Sequence, residues 1–99
     1  MTRADTFEDL RCWQLAYKLK GEIKTKVIPC LPDSEKYELR SQLLRASRST
    51  TANIAEGWGR FHFLESNKFY YYSRGSLSEL LDHLIEIKDN GFIEEEVYS

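Results

Sequence analysis

The sequence predicts an all-α fold in a single domain spanning residues 1–99. Three observations predict it. Three long segments place their apolar residues three or four apart, the step of an amphipathic helix. Two breaks separate them: Ile28-Pro29-Cys30-Leu31-Pro32-Asp33, where two prolines deny continuation, and Gly57-Trp58-Gly59-Arg60, where glycines permit positive φ. No segment alternates apolar and polar residues with β-branched enrichment, so strands are not expected.

The first helix is expected over about 7–27. Thr6 is its candidate N-cap, with Asp9 in the turn that favours an acid. Cys12, Ala16, Leu19, Ile23 and Val27 form one stripe, and Cys12 is read as a core residue on that basis. Leu10, Trp13 and Tyr17 form a second apolar surface about 100° round the helix. The second helix is expected over about 35–56, capped by Asp33 or Ser34. Its stripe is Leu39, Leu43, Ala46, Thr50 and Ile54, and its middle is rich in Ala, Ser and Thr, which suits close approach of a neighbour. The third is expected over about 66–90, ended by Gly91. Its stripe is Phe69, Tyr72, Ser76, Leu80, His83 and Ile87, widened by Leu77, Leu81 and Leu84 to an arc of about 180°. Gly75 lies mid-helix at a cost of about 1 kcal/mol relative to Ala, which predicts close backbone packing there. Glu94, Glu95 and Glu96 resemble the first turn of another helix.

Composition narrows the class. Of 99 residues, 41% are hydrophobic and 30% charged, which suits a globular chain rather than a disordered one. No apolar run reaches the roughly 20 residues of a membrane span, and no signal-peptide pattern opens the sequence. Two cysteines make no disulfide framework, so the cytoplasm is the expected compartment. The net charge is −2, but residues 1–60 carry 11 Lys/Arg against 8 Asp/Glu, and residues 61–99 carry 3 against 8. A polyanion site would therefore be a local patch, and the densest basic stretch is Lys18, Lys20, Lys24 and Lys26.

Enzyme chemistry finds little purchase. Cys12, Cys30, His62 and His83 lack metal-ligand spacing. Gly57-Trp58-Gly59 leads to His62 where a dinucleotide loop needs glycine, and it follows a helix rather than a strand. No nucleophile elbow or triad can be assembled. The chain is therefore expected to be non-catalytic, with no cofactor and no metal.

Binding readings remain. Arg45, Arg48, Ser49, Ala52, Asn53 and Glu56 share a face of the second helix. They read either as a hydrogen-bond network between helices or subunits, with Asn53 and Glu56 one turn apart, or as phosphate contacts from Arg45 and Arg48, joined by Arg60. Lys20 and Lys24 complete the candidate nucleic-acid set. Trp58 and Tyr70-Tyr71-Tyr72 read as packing or as base-stacking aromatics. Trp13, Tyr17, Gly75, Leu77 and Leu81 are the candidate interface residues. Apolar arcs this wide exceed what three helices bury among themselves, which predicts a homo-oligomer.

Three motifs and a following turn carry a family resemblance. Phe7-Glu8-Asp9-Leu10 with Trp13 and Ala16 is similar to the opening of the small four-helix-bundle proteins known as 23S rRNA-intervening-sequence proteins. Gln42 through Ser49 and Asn53-Ile54-Ala55-Glu56-Gly57 with Gly59-Arg60 resemble that family's central block. Phe69-Tyr70 with Ser73, Gly75-Ser76-Leu77 and Glu79-Leu80 resemble its third-helix signature, and Asn90-Gly91-Phe92-Ile93 the turn before its fourth helix. The resemblance implies an antiparallel up-down bundle of the four-helix-bundle type, with three long helices present and the fourth absent or truncated. It implies assembly as a ring, typically a homopentamer. Related proteins are accessory factors of diversity-generating retroelements, so RNA or a reverse transcriptase is an implied partner. A protein-interaction scaffold with no nucleic-acid role is the alternative function.

Overall fold

The computed structural model describes residues 6–35, 37–60 and 63–93. Three helices dominate it: α1 (Arg11–Glu22), α2 (Glu38–Trp58) and α3 (Phe63–Asp89). No strand occurs among the described residues.

Each helix end has a local cause. Thr6 does cap, but it caps a separate 3-10 turn, Phe7–Asp9. Its hydroxyl accepts from the Glu8 N–H at 3.0 Å, and its own N–H donates to the Asp9 carboxylate at 3.2 Å. Leu10 is extended (φ −74, ψ 128) and interrupts the expected 7–27 helix. At the other end Ile23–Val27 forms a π-helical turn, so the regular α-helix stops at Glu22. Pro29 then opens a 3-10 turn, Ile28–Cys30.

The expected cap of α2 is not used. Asp33–Glu35 closes its own 3-10 turn through the Pro32 carbonyl, and α2 begins at Glu38 behind Tyr37 with no side-chain cap. α2 also runs through Gly57 to Trp58, and Gly59 has φ −77, so this break is not made by positive φ. Gly57 serves packing instead: a Cβ there would meet the Tyr70 ring at 2.9 Å and the Ser66 carbonyl at 3.0 Å. α3 starts at Phe63, three residues before the expected Ser66. It ends as expected on Gly91, whose φ is +76. The Phe92 N–H donates to the Ile87 carbonyl and the Gly91 N–H to the Lys88 carbonyl, a Schellman motif that folds Phe92 and Ile93 back onto the core.

Contacts along the helices fix direction. Arg45 meets Glu79, Ser49 meets Ser76, and Thr50 meets Ser73, so α2 and α3 are antiparallel. The core gathers Ile23 and Val27 from the first helical segment, Leu39, Leu43 and Ala46 from α2, and Leu80, Leu84 and Ile87 from α3. The stripe expected on α2 is buried throughout. α1 and α3 both pack on α2 rather than on each other. The result is an open slab, 44 × 24 × 17 Å, with an apolar groove along it. Cys12, Gly75 and Tyr72 depart from expectation, the last being 48% exposed although it lies on the α3 stripe. Cys12 is exposed, because its face of α1 turns to the groove and, among the described residues, no helix covers it. Gly75 is exposed with nothing within 4 Å, so close packing does not account for it, and no contact in the structure explains the glycine.

Candidate nucleic-acid interface

The structure sorts the candidate residues onto three surfaces. The first is the seam between α1 and α2. Lys20, near the end of α1, donates its Nζ–H to Thr51 Oγ1 on α2 at 3.1 Å, and the Thr51 hydroxyl donates to the Arg48 carbonyl at 3.1 Å. This anchors the ammonium beside Lys24 and Arg48. Burial first, then the charges of Lys24 and Arg48, hold the Lys20 ammonium below its ordinary value of 10.5. Among the described residues, none of these three cations has a carboxylate within ion-pair distance. Like charges held together and uncompensated repel one another, and an external anion relieves that repulsion.

The same seam carries an aromatic ladder. Trp13 and Tyr17, one turn apart, stack at 4.9 Å with 13° between planes, and Phe7 meets Trp13 edge-on at 5.3 Å. Lys20 Nζ lies 5.7 Å from the Tyr17 centroid. Trp13 is half-buried and Tyr17 is 56% exposed.

The second surface is the opposite flank of the α2–α3 contact, where the expected polar stripe becomes a network within one chain. Arg45 pairs with Glu79 at 2.5 Å, and Glu79 also lies 3.7 Å from His83 Nε2. Ser49 and Ser76 share a hydrogen bond at 2.7 Å. Asn53 donates to the Ser49 carbonyl at 2.8 Å and hydroxyl at 3.0 Å, and Ser73 donates to the Thr50 carbonyl at 2.8 Å. Glu56 turns away from Asn53 and accepts from Arg60 at 2.6 Å, while Arg60 covers the Phe69 ring at 4.9 Å. Arg45 and Arg60 are thus neutralised locally and do not join Lys20, Lys24 and Arg48. The three tyrosines diverge: Tyr70 is half-buried, Tyr71 is exposed, and Tyr72 meets Phe69 edge-on at 5.8 Å.

The third surface is the groove, about 390 Å³, lined chiefly by Cys12, Leu15 and Leu19 of α1, Ile54 of α2, and Tyr70 and Leu77 of α3. Burial raises the Tyr70 phenol above its ordinary value of 10.0, and Cys12 adds to the effect. Leu15, Leu81 and Ile85 are exposed to 54%, 44% and 44%. This is the apolar excess expected from the wide arcs.

Sequence reasoning missed two partners of the basic patch. Thr51 is 31 residues from Lys20, so nothing local reveals their bond. The Tyr17 platform was legible in principle: Trp13, Tyr17 and Lys20 follow the i, i+4, i+7 spacing of one helix face. Among the described residues, no group of three or more His, Cys, Asp or Glu side chains could hold a metal ion, and no helix is long and apolar enough to cross a membrane. His62 and Glu94–Glu96 lie outside the described residues.

Among curated proteins none matches the chain. A family model, that of the 23S rRNA-intervening sequence protein, matches residues 8–99, which takes in all three helices and all three surfaces. The chain belongs to the 23S rRNA-intervening sequence protein family.

Proposed function

We propose that this protein is a non-catalytic, cytoplasmic RNA-binding protein that works as a homo-oligomer, a pentamer being the form implied by the family resemblance. The observation that carries the RNA reading is that the Lys20–Thr51–Arg48 hydrogen-bond chain brings Lys20, Lys24 and Arg48 to one seam with no carboxylate partner among the described residues. Cations so placed suit phosphates, and such contacts position a polyanion without reading its sequence. An RNA-handling protein such as a reverse transcriptase is the protein partner consistent with this role.

The test is fluorescence anisotropy with a labelled RNA stem-loop at about 50 and 200 mM salt. Three phosphate contacts predict an affinity loss of roughly 20- to 40-fold over that range. Absence of binding at the lower salt refutes the reading.

A second reading is supported by a different surface. The groove and the exposed Leu15, Leu81 and Ile85 suit a scaffold oligomer with no nucleic-acid role. Light scattering coupled to size exclusion tests the oligomer that both readings require, and a monomer refutes both. An oligomer that fails to bind RNA favours the scaffold.

A further inference from the structure

We infer that the outward face of α3 is a self-complementary contact, on which a second copy of this chain docks antiparallel. The two helices cross at Gly75, with Lys68 of each copy against Asp82 of the other. This rests on the homo-oligomer reading above and names one of its contacts.

The inference starts from Gly75. It sits in the middle of α3, whose ends are Phe63 and Asp89, where glycine is an unfavourable residue. A Cβ at this position meets nothing within 4 Å, so no neighbour in its own chain requires the missing side chain. The other open helical glycine, Gly21, lies in the last turn of α1, where the helix is already ending. A close backbone from another molecule does require a glycine. Without a Cβ between them, two helix axes can approach to about 8 Å, the short end of the usual range.

The face around Gly75 has the pattern of a helix seam. Leu64, Tyr71 and Ile85 recur at multiples of seven residues, and Lys68, Gly75 and Asp82 do the same beside them. At about 100° per residue, this stripe points away from Ser73, Leu80 and Leu84 on the buried side of α3. Leu64 is 80% exposed, Tyr71 61% and Ile85 44%. A seven-residue step falls about 20° short of two full turns, so two such stripes stay in contact by winding slowly round each other.

Charge decides the occupant and its direction. Lys68 lies seven residues before Gly75 and Asp82 seven after, and both are exposed. Among the described residues neither has an ion-pair partner, and Lys68 only overhangs the Tyr72 ring at 5.8 Å. A two-fold axis at Gly75 brings each Lys68 opposite the other copy's Asp82, which makes two ion pairs. A parallel pairing sets Lys68 against Lys68 and Asp82 against Asp82. Opposite charges equidistant from a point of close approach make the face complementary to itself. Such an isologous contact closes on two copies. It yields a dimer or joins two rings back to back, and the copy number is even in both cases.

The experiment is sedimentation velocity over a concentration series at about 50 mM salt, where exposed charges are little screened. It uses the full chain and its Lys68→Glu, Asp82→Lys and Gly75→Leu variants, each shown to be folded by its circular-dichroism melt. The parent should sediment with an even number of copies. Lys68→Glu or Asp82→Lys alone sets like charges opposite each other twice, and should raise the half-dissociation concentration roughly 10- to 100-fold. An equimolar mixture of the two should associate as the parent does, because each variant supplies the charge that the other lacks. Gly75→Leu should weaken association to a similar degree, because a branched side chain holds the helices apart, whereas Gly75→Ala keeps them close. An odd copy number, single charge reversals that associate like the parent, or a mixture that stays dissociated overturns the contact and leaves the oligomer reading standing. A parent protein that is monomeric overturns the oligomer reading itself.

Discussion

Truncating Leu43 and truncating Ile54 should have different consequences, although both side chains are buried on the same helix. Leu43 is 0% exposed and sits in the cluster with Ile23, Leu80 and Ile87. Leu43→Ala removes apolar contacts and leaves a closed cavity. The transfer and cavity contributions together come to about 4 kcal/mol, in the upper half of the range for such changes. Ile54 is 5% exposed, but it forms a wall of the open groove. Space vacated there joins the groove and water can enter it, so Ile54→Ala should cost only about 2 kcal/mol. With a urea slope of about 1.5 kcal/mol/M, the midpoints should fall by about 2.7 M and 1.3 M. The assay is urea unfolding followed by far-ultraviolet circular dichroism at one fixed protein concentration, because an oligomer makes stability depend on concentration. An Ile54→Ala variant that loses as much as Leu43→Ala refutes the open-groove reasoning and means that a second copy of the chain seals the groove in solution.

Glycine substitutions test the two departures in packing. Gly57→Ala should destabilise by about 1–3 kcal/mol, because its Cβ meets the Ser66 carbonyl at 3.0 Å and backbone must move. Gly75→Ala, with open space around it, should stabilise by about 0.5–1 kcal/mol in the same urea assay. Arg48→Ala should change stability by less than about 0.5 kcal/mol, since the side chain is exposed and its nearest cations repel it; a large loss would mark it as structural. The Tyr70 phenol is raised in the folded state, so its contribution to stability is fully present below pH 10.0 and is lost as pH climbs through its folded value. Lys20 acts in the opposite direction: its proton is held less well in the folded state, so its penalty applies at neutral pH and is relieved as pH rises towards 10.5. Alkaline urea midpoints should therefore decline less steeply for Tyr70→Phe and more steeply for Lys20→Gln than for the parent, and the reverse order contradicts the assignment.

Helix periodicity determined the three helices, the buried stripe of α2 and the glycine stop after α3, because these depend on the spacing of residues within one segment. Thr6 as a cap was legible for the same reason, although what it caps is the separate Phe7–Asp9 turn. The sequence alone also carried the three motifs of the family. Tertiary structure decided everything that depends on which helix faces which. Cys12 lies in the apolar register of α1 yet is exposed, because α1 and α3 share α2 and, among the described residues, nothing covers the groove between them. Gly57 and Gly75 look alike in sequence, but only one lies where a neighbouring helix passes close by. Arg45 and Arg48 are one turn apart on α2, and only the fold shows that Glu79 of α3 neutralises the first while Lys20 of α1 crowds the second. Periodicity tells a residue which side of its own helix it occupies. The identity of the charge or ring on the facing helix, dozens of positions away, is set only when the chain packs.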